Sequence, residues 1–283
     1  MPTRIGGSQG SEMAGLTGLP GSAGLARPEC TARPARGTLY VCATPIGNLE
    51  DVTMRVLRLL REVDLVAAED TRHTRKLLAH YDIPAKMVSY HEHNERSRAP
   101  EIIEVLLGGG SVALVTDAGT PAVSDPGAHL VREAAAKGIP VVPVPGASAV
   151  LAALVVSGFS TDEFTFVGFL PRKGKERREA LERLAEEKRV VVLYESPYRV
   201  ARTLADIAAA TGAARRVAVA RELTKVHEEV VRGALGEVAE LFAARTVKGE
   251  VTIVLDAPET PGRKAGKRKT GGDCSRETSP PFA

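Results

Sequence analysis

Tryptophan is missing from this 283-residue chain, and aromatic residues make up only 4% of it. Its core therefore rests on alanine, valine and leucine, for which a hydrophobic content of 43% is ample. The three cysteines, Cys30, Cys42 and Cys274, are odd in number, far apart and free of any C-x-x-C pair. That argues against a disulfide framework or a structural zinc site and fits a reducing cytoplasm. No apolar run approaches a membrane span, and the N-terminus has no apolar signal core. Neither G-x-G-x-x-G after the first β-rich run nor G-x-x-x-x-G-K-[ST] occurs, which disfavours a dinucleotide or a nucleoside triphosphate. "HEHNE" (His91 to Glu95) is not H-E-x-x-H, because Glu95 stands where the second histidine belongs. No metal site is expected.

What is present is a rhythm. Short β-rich runs at Leu39–Ala43, Leu65–Ala68, Met87–Tyr90, Val112–Thr116 and Val141–Val144 alternate with helical patterns. In "VTMRVLRLLREV" the residues Val52, Val56, Leu59, Leu60 and Val63 fall on one helical face. This alternation predicts a mostly parallel sheet covered on both sides. A helix from about Ala147 to Ser157 should end at Gly158. A second series follows: strands at Phe164–Leu170, Val190–Tyr194, Val217–Arg221, Glu228–Gly233 and Glu250–Asp256, with helices over 175–187 and 199–210. The expected organisation is a disordered leader over 1–37, an α/β domain over 38–157, a second over 158–256, and a disordered basic tail over 257–283. The net charge of +3 is mild but clustered, at Arg263 to Lys269 and at Arg172, Lys173, Lys175, Arg177 and Arg178. Such runs are commonly solvated faces.

In a parallel sheet every loop leaving a strand C-terminus lies on one edge, where ligands of open α/β sheets bind. Those loops read "TPIGNLED", "EDTRHTR", "HEHNE", "TDAGTPAVSDP" and "PVPGASA", all rich in Gly, Pro or short polar residues. The opposite loops, such as "LLGGGS", are plain turns. Gly119 and Gly146 can take positive φ and bring backbone close to a ligand, and Gly146-Ala147-Ser148 at a helix start offers N–H groups to an anion. Ordinary capping by Asp70 or Ser148 is the plainer reading of any single loop. Five such loops on one edge point to a binding site.

The motifs "ATPIGNLEDVTMR", "AAEDTRHT", "HEHNE", "VTDAGTPAVSDPG", "VPGASA", "FVGFLPRK", "YESPYR", "ARELTKVHEE" and "KGE" run in one order over about residues 38 to 256. As a set they resemble the tetrapyrrole-methylase-like (class III) S-adenosylmethionine methyltransferases, and within them the ribosomal RNA small-subunit methyltransferase I group. The resemblance implies a two-domain fold with a mostly parallel N-terminal sheet and a mixed C-terminal sheet. It further implies S-adenosylmethionine in a cleft between domains, a cytoplasmic homodimer, and 2′-O-methylation of a cytidine, nucleotide 1402 of 16S rRNA, in the 30S subunit. By the family pattern the cofactor would meet Pro45, Asp117, Ala118, Gly119, Val123, Ser124, Ser148, Ala149, Phe169, Leu170, Tyr194, Ala220 and Glu222. A basic tail stands where relatives often carry a further helical segment, which bears on substrate docking.

Methyl transfer to a hydroxyl needs alignment and gains from a proton acceptor. Glu69, Asp70 and Glu195 follow strand ends, each beside a polar or basic partner (Arg72; Tyr198 or Arg199), and are the candidate bases. Lys248 would offset developing negative charge. His91 and Glu222 are further candidate bases at the same edge, and Lys225 is an alternative to Lys248. Arg72, Arg75, Arg172, Lys173 and Lys175 would meet RNA phosphates; DNA is not expected, because the 2′-hydroxyl is the acceptor. Structural ion pairs are the competing role for each carboxylate. Two other readings keep the fold: a corrin or porphyrin carbon methyltransferase, and a non-catalytic ribosome assembly factor.

Overall fold

The computed structural model describes residues 37–258. The leader and tail expected at 1–37 and 257–283 lie almost wholly outside the described residues.

Five strands, β1 (Leu39–Cys42), β2 (Leu65–Ala68), β3 (Met87–Ser89), β4 (Val112–Val115) and β5 (Val141–Val144), form a sheet in the order β3-β2-β4-β1-β5. Every pairing in it is parallel. Four helices connect them: α1 (Met54–Glu62), α2 (Thr71–His80), α3 (Glu95–Leu107) and α4 (Ala128–Ala136). Side chains alternate across the sheet, as the pleat requires. Tyr40, Cys42, Val66, Ala68, Ala113 and Val115 pack with Val56, Leu59 and Leu60 of α1 and Leu77 and Leu78 of α2. Leu39, Leu65, Ala67, Val112 and Leu114 pack on the other face with Ile102, Ile103 and Leu106 of α3 and Leu130 of α4. The amphipathic face read in α1 is the buried one, with Leu57 added. Thr53 opens that helix by accepting the Val56 N–H.

Helix α5 (Ala149–Ser157) then crosses to a second sheet and ends at Gly158, left-handed at φ 76°. The second sheet contains β6 (Phe164–Phe169), β7 (Val190–Glu195), β8 (Arg216–Arg221), β9 (Glu229–Ala234) and β10 (Val251–Leu255), in the order β6-β7-β10-β8-β9. It is mixed: β6 and β7 are parallel, and the other pairs are antiparallel. One face packs on α6 (Gly174–Glu186), α7 (Val200–Thr211) and α8 (Leu235–Ala243) through Leu184, Leu204 and Phe242. The opposite face carries Val190, Val192, Ala218, Ala220 and Val254, and packs on Val150, Ala153 and Leu154 of α5 together with Ile46. Ile46 lies in the loop after β1, so this seam joins the rim of the first sheet to the second. Helix α8 has no counterpart in the sequence reading.

Candidate functional site

The loop Thr116–Gly127, after β4, is the hub of the rim. Its Gly119 exchanges two backbone hydrogen bonds with Thr44 of the loop after β1, at 2.9 and 3.0 Å. Its Asp117 N–H donates to Glu69 Oε2, and Asp117 Oδ1 accepts the Asp70 N–H, both at 3.2 Å, which fastens the loop after β2. Its Thr120 hydroxyl donates to Ala147 O at 3.3 Å, which fastens the loop after β5. Three of the four neighbouring loops are thus tied to one. Gly119 does take positive φ, 79°. Gly146 does not, and serves by its size, since a Cβ there would lie 3.0 Å from the Ala43 Cβ.

Ala122 (φ 69°) and Ser124 (φ 61°) are non-glycine residues in the left-handed region, as are Glu222 (φ 53°) and Thr224 (φ 67°) after β8. Each such residue costs on the order of 1–3 kcal/mol, and such residues concentrate where geometry serves a site. Ser124 lines the cavity, and Glu222 backs the lining residue Glu250. There the second sheet comes very close: a Cβ at Gly168, where β6 is irregular, would lie 2.8 Å from Ser124 Oγ. The Asn48 N–H donates to Thr224 Oγ1 at 3.1 Å.

Between these parts lies a cavity of about 360 Å³, within the range of small-ligand sites. The first sheet's loops supply Ile46, Ala118, Gly119, Thr120, Val123, Ser124, Asp125, Ser148 and Ala149. The second sheet supplies Phe169, Tyr194, Glu195, Ser196, Pro197, Gly249, Glu250, Val251 and Thr252. Because β10 runs antiparallel to β7, its beginning lies beside the end of β7, with Val251 opposite Glu195 and Thr252 opposite Tyr194. Tyr194 is edge-on to Phe166 and tilted against Phe169. Ser148 caps α5 by accepting the Leu151 N–H at 3.5 Å, so the first turn of that helix faces the cavity.

Of the cofactor positions expected from sequence, Ala118, Gly119, Val123, Ser124, Ser148, Ala149, Phe169 and Tyr194 meet in this wall. Pro45 adjoins it through Ile46. Leu170 and Ala220 are core residues, 4% and 1% exposed, and support the wall from behind. Asp117 spends its backbone and side chain bracing the hub loop. Glu222 holds Lys225 Nζ at 2.9 Å and accepts the Glu250 N–H at 3.0 Å, so it fixes the Gly249–Glu250 wall. Sequence reasoning did not name Ile46, Thr120, Asp125, Ser196, Pro197 or Gly249 to Thr252 as site residues. "KGE" and "YESPYR" were visible signals for most of the last six.

The candidate bases fall into different classes. Glu195 is 2% exposed and its carboxylate is fully engaged: Oε1 takes the Ser196 N–H and Arg199 at 2.6 Å each, and Oε2 takes the Thr203 hydroxyl at 2.6 Å. It borders the cavity with both carboxylate oxygens taken up by these donors. Asp70 caps α2 and pairs with Arg72, whose guanidinium holds the carboxyl down at about 2. A group so acidic is a weak proton acceptor. Glu69 is shifted upward by burial, partly offset by its bond from the Asp117 N–H. Asp125 goes further, to about 7, first through burial and then through the Glu69 carboxylate, with Asp117 and Glu250 adding repulsion and the Thr116 hydroxyl opposing it. Tyr194 is pushed up to about 12, chiefly by burial and by Asp125. Lys248 is exposed and next to the lining residue Gly249.

The expected RNA contacts Arg72, Arg75, Arg172, Lys173 and Lys175 are all exposed and outside the cavity wall. Arg177, in the same basic run, is 6% exposed and bound to Asp206, Pro171 O and Thr203. It belongs to the core of the second sheet.

Residues 38–239 match the family of Tetrapyrrole (Corrin/Porphyrin) Methylases. A ribosomal RNA small subunit methyltransferase I of Halalkalibacterium halodurans is 50% identical over 224 residues, covering 79% of this chain and 77% of the relative. One of Pseudomonas aeruginosa is 46% identical over 242 residues, 85% of each chain. Among solved structures, cobalt precorrin-4 methyltransferase superposes with a TM-score of 0.60 at 20% identity, over 78% of this chain and 95% of that one. Uroporphyrin-III C-methyltransferase of Thermus thermophilus, solved with S-adenosyl homocysteine, gives 0.57 at 20% identity, over 77% and 97%. At that identity the likeness is one of fold. Family model, relatives and rim together make this chain a member of the ribosomal RNA small subunit methyltransferase I family of the tetrapyrrole methylases.

Proposed function

We propose that this protein methylates the ribose 2′-oxygen of a cytidine, nucleotide 1402 of 16S rRNA, with S-adenosylmethionine as donor. The observation that carries the reading is the cavity itself: most of its walls come from residues 38–239, the span that matches the methylase family.

The wall fits the donor's chemistry. S-adenosylmethionine carries a sulfonium, an ammonium, a carboxylate and an adenosine. The Glu250 carboxylate lines the cavity and favours cationic groups, while the first turn of α5 at Ser148–Ala149 favours a carboxylate. Ile46, Val123, Ala149 and Tyr194 supply apolar surface for a flat ring. When bound, the donor supplies a methyl group on a positively charged sulfur with a good leaving group. The chain's part is then alignment, exclusion of water and acceptance of a proton. The hydrogen-bonded hub loop keeps its shape before the ligand arrives, so little ordering is left to do on binding. Lys248, at the rim, would offset charge developing on the acceptor oxygen.

The acceptor nucleotide must be splayed out of its stack to enter. Arg72, Arg75, Arg172, Lys173 and Lys175 would hold the flanking phosphates. Residues 38–157 and 158–256 act as two domains around the donor. The enzyme is cytoplasmic and a homodimer. Leu151 (54% exposed) and Val155 (71%) form an apolar stripe on α5 that a second copy would cover. Incubating 30S subunits that lack the mark with methyl-labelled donor tests the reading. Label in an alkali-resistant linkage at the cytidine is expected. Label on uroporphyrinogen instead, or donor binding without any transfer, would refute it.

A further inference from the structure

Among the described residues, six carboxylates stand in or just behind the cavity, and five are already occupied, Glu222 by Lys225 and the Glu250 N–H. Glu195 holds Arg199, Thr203 and the Ser196 N–H. Glu250 holds Lys225 at 3.0 Å. Glu69 accepts the Asp117 N–H, and Asp117 accepts the Asp70 N–H. Asp125 lines the cavity and, among the described residues, forms no ion pair and takes no N–H donor; the nearby Thr116 hydroxyl has no hydrogen-bond partner by geometry. Backbone constraints fix its place: Ser124 before it is left-handed at φ 61°, Pro126 follows, and Gly127 stands at φ 128°. Across the cavity are Tyr194 and Thr252.

On the reading of function above, we propose that Asp125 is the catalytic proton acceptor, taking the 2′-hydroxyl proton as the methyl group is transferred. The O2′–carbon bond forms while the carbon–sulfur bond breaks, and that electron pair stays on sulfur. The proton passes to an Asp125 carboxylate oxygen and leaves later to water, so no further reagent is needed. An unpaired carboxylate suits this task, because a cation or N–H bound to it would lower its basicity. The charged groups facing Asp125 are Glu69, Asp117 and Glu250, with the neutral Tyr194 and Thr116 hydroxyls. All three carboxylates raise its proton affinity, and its value of about 7 lies where a general base works best at neutral pH.

The test uses the full-length protein and unmethylated 30S subunits in single turnover with saturating donor. Asp125→Asn should lower the rate by about 10²–10⁴-fold, the usual worth of general-base catalysis. Its donor affinity by calorimetry should stay within about threefold, a factor near 0.6 kcal/mol. The wild-type rate should climb with pH to a plateau above about 7, and this limb should vanish in the variant. Asp125→Glu should restore part of the rate. Carbon-13 NMR of aspartate-labelled wild type should show a carboxyl titrating near neutrality that Asp125→Asn lacks, a readout independent of turnover. An unimpaired Asp125→Asn rate, a loss confined to donor affinity, or aspartates that all titrate below about 5 overturns this role. A wild type that puts no methyl on ribose overturns the acceptor assignment and this role with it. A wild type that does, beside an unimpaired variant, overturns this role alone.

Discussion

Glu195 separates a chemical from a structural account of the site. Its side chain is fully buried and accepts from Arg199, Thr203 and the Ser196 backbone, each at 2.6 Å. Thr203 in turn accepts from Arg177 at 3.1 Å, and Arg177 binds Asp206 at 2.7 Å. Glu195→Ala would strand a guanidinium that is three-quarters buried, a hydroxyl and an N–H. Removing one partner of a buried pair costs about 3–5 kcal/mol. For a protein of this size each kcal/mol moves the melting temperature by about 2–4 °C, so a fall of roughly 10 °C is expected. Glu195→Gln keeps one acceptor oxygen and should lose about half as much. Melting followed by circular dichroism reads the stability, and single-turnover transfer well below the melting range reads the chemistry. The transfer rate per folded molecule should change by less than about tenfold, since the wall shifts but no reacting group is lost. An unchanged melting temperature with transfer lowered beyond about a hundredfold would show that Glu195 reacts directly.

Other expectations follow from the same geometry. Replacing Arg172, Lys173 and Lys175 together by alanine should weaken 30S binding and flatten its salt dependence by up to about three counterions while donor affinity holds; equal loss of both would make the cluster structural. Arg177→Ala, by contrast, should lower stability by about 3 kcal/mol in urea melts, because it leaves Asp206 and Thr203 without their buried partner. Asp125 has a folded value raised above its unfolded one, so its contribution to stability is lost as pH rises from about 4 to about 7. Asp125→Asn should therefore gain stability over wild type at pH 8, on the order of 1 kcal/mol after allowance for partial exposure, and lose that gain near pH 4. A Cβ at Gly249, φ 86°, would lie 2.2 Å from Glu222 Cδ, so Gly249→Ala must push Glu222 off Lys225 and should weaken donor binding about tenfold by calorimetry. Unaltered binding would remove that wall from the site.

Local pattern made most of the first sheet readable. Leu65–Ala68 and Val141–Val144 coincide with β2 and β5, since short β-branched and alanine runs bounded by turn residues admit little else. Helix α8 escaped because Ala234 ends β9 and directly precedes Leu235 with no capping side chain, while Gly233 and Gly236 on either side of the boundary favour a turn over a helix start. The rim loops of the first sheet were legible as a site because parallel strands all deliver their C-terminal loops to one edge. That rule fails in the second sheet. There β10 is antiparallel, so its N-terminal residues Val251 and Thr252 reach the cavity beside the end of β7, a fact of pairing with no local signature. The burial of Glu195 and its bond from Thr203 are likewise invisible in a linear string. Asp125 was not singled out within its loop, because its surroundings come from Glu69, Asp117 and Glu250, which only the fold assembles.

The central claim is that one cavity, between the rim of the parallel sheet and the facing ends of β7 and β10, holds the methyl donor. A crystal structure with S-adenosyl homocysteine tests it most directly. The account predicts the ligand against Gly119, Ser124, Ser148–Ala149 and Tyr194, within reach of Asp125. Ligand bound at any other surface, with this cavity left to solvent, would contradict it.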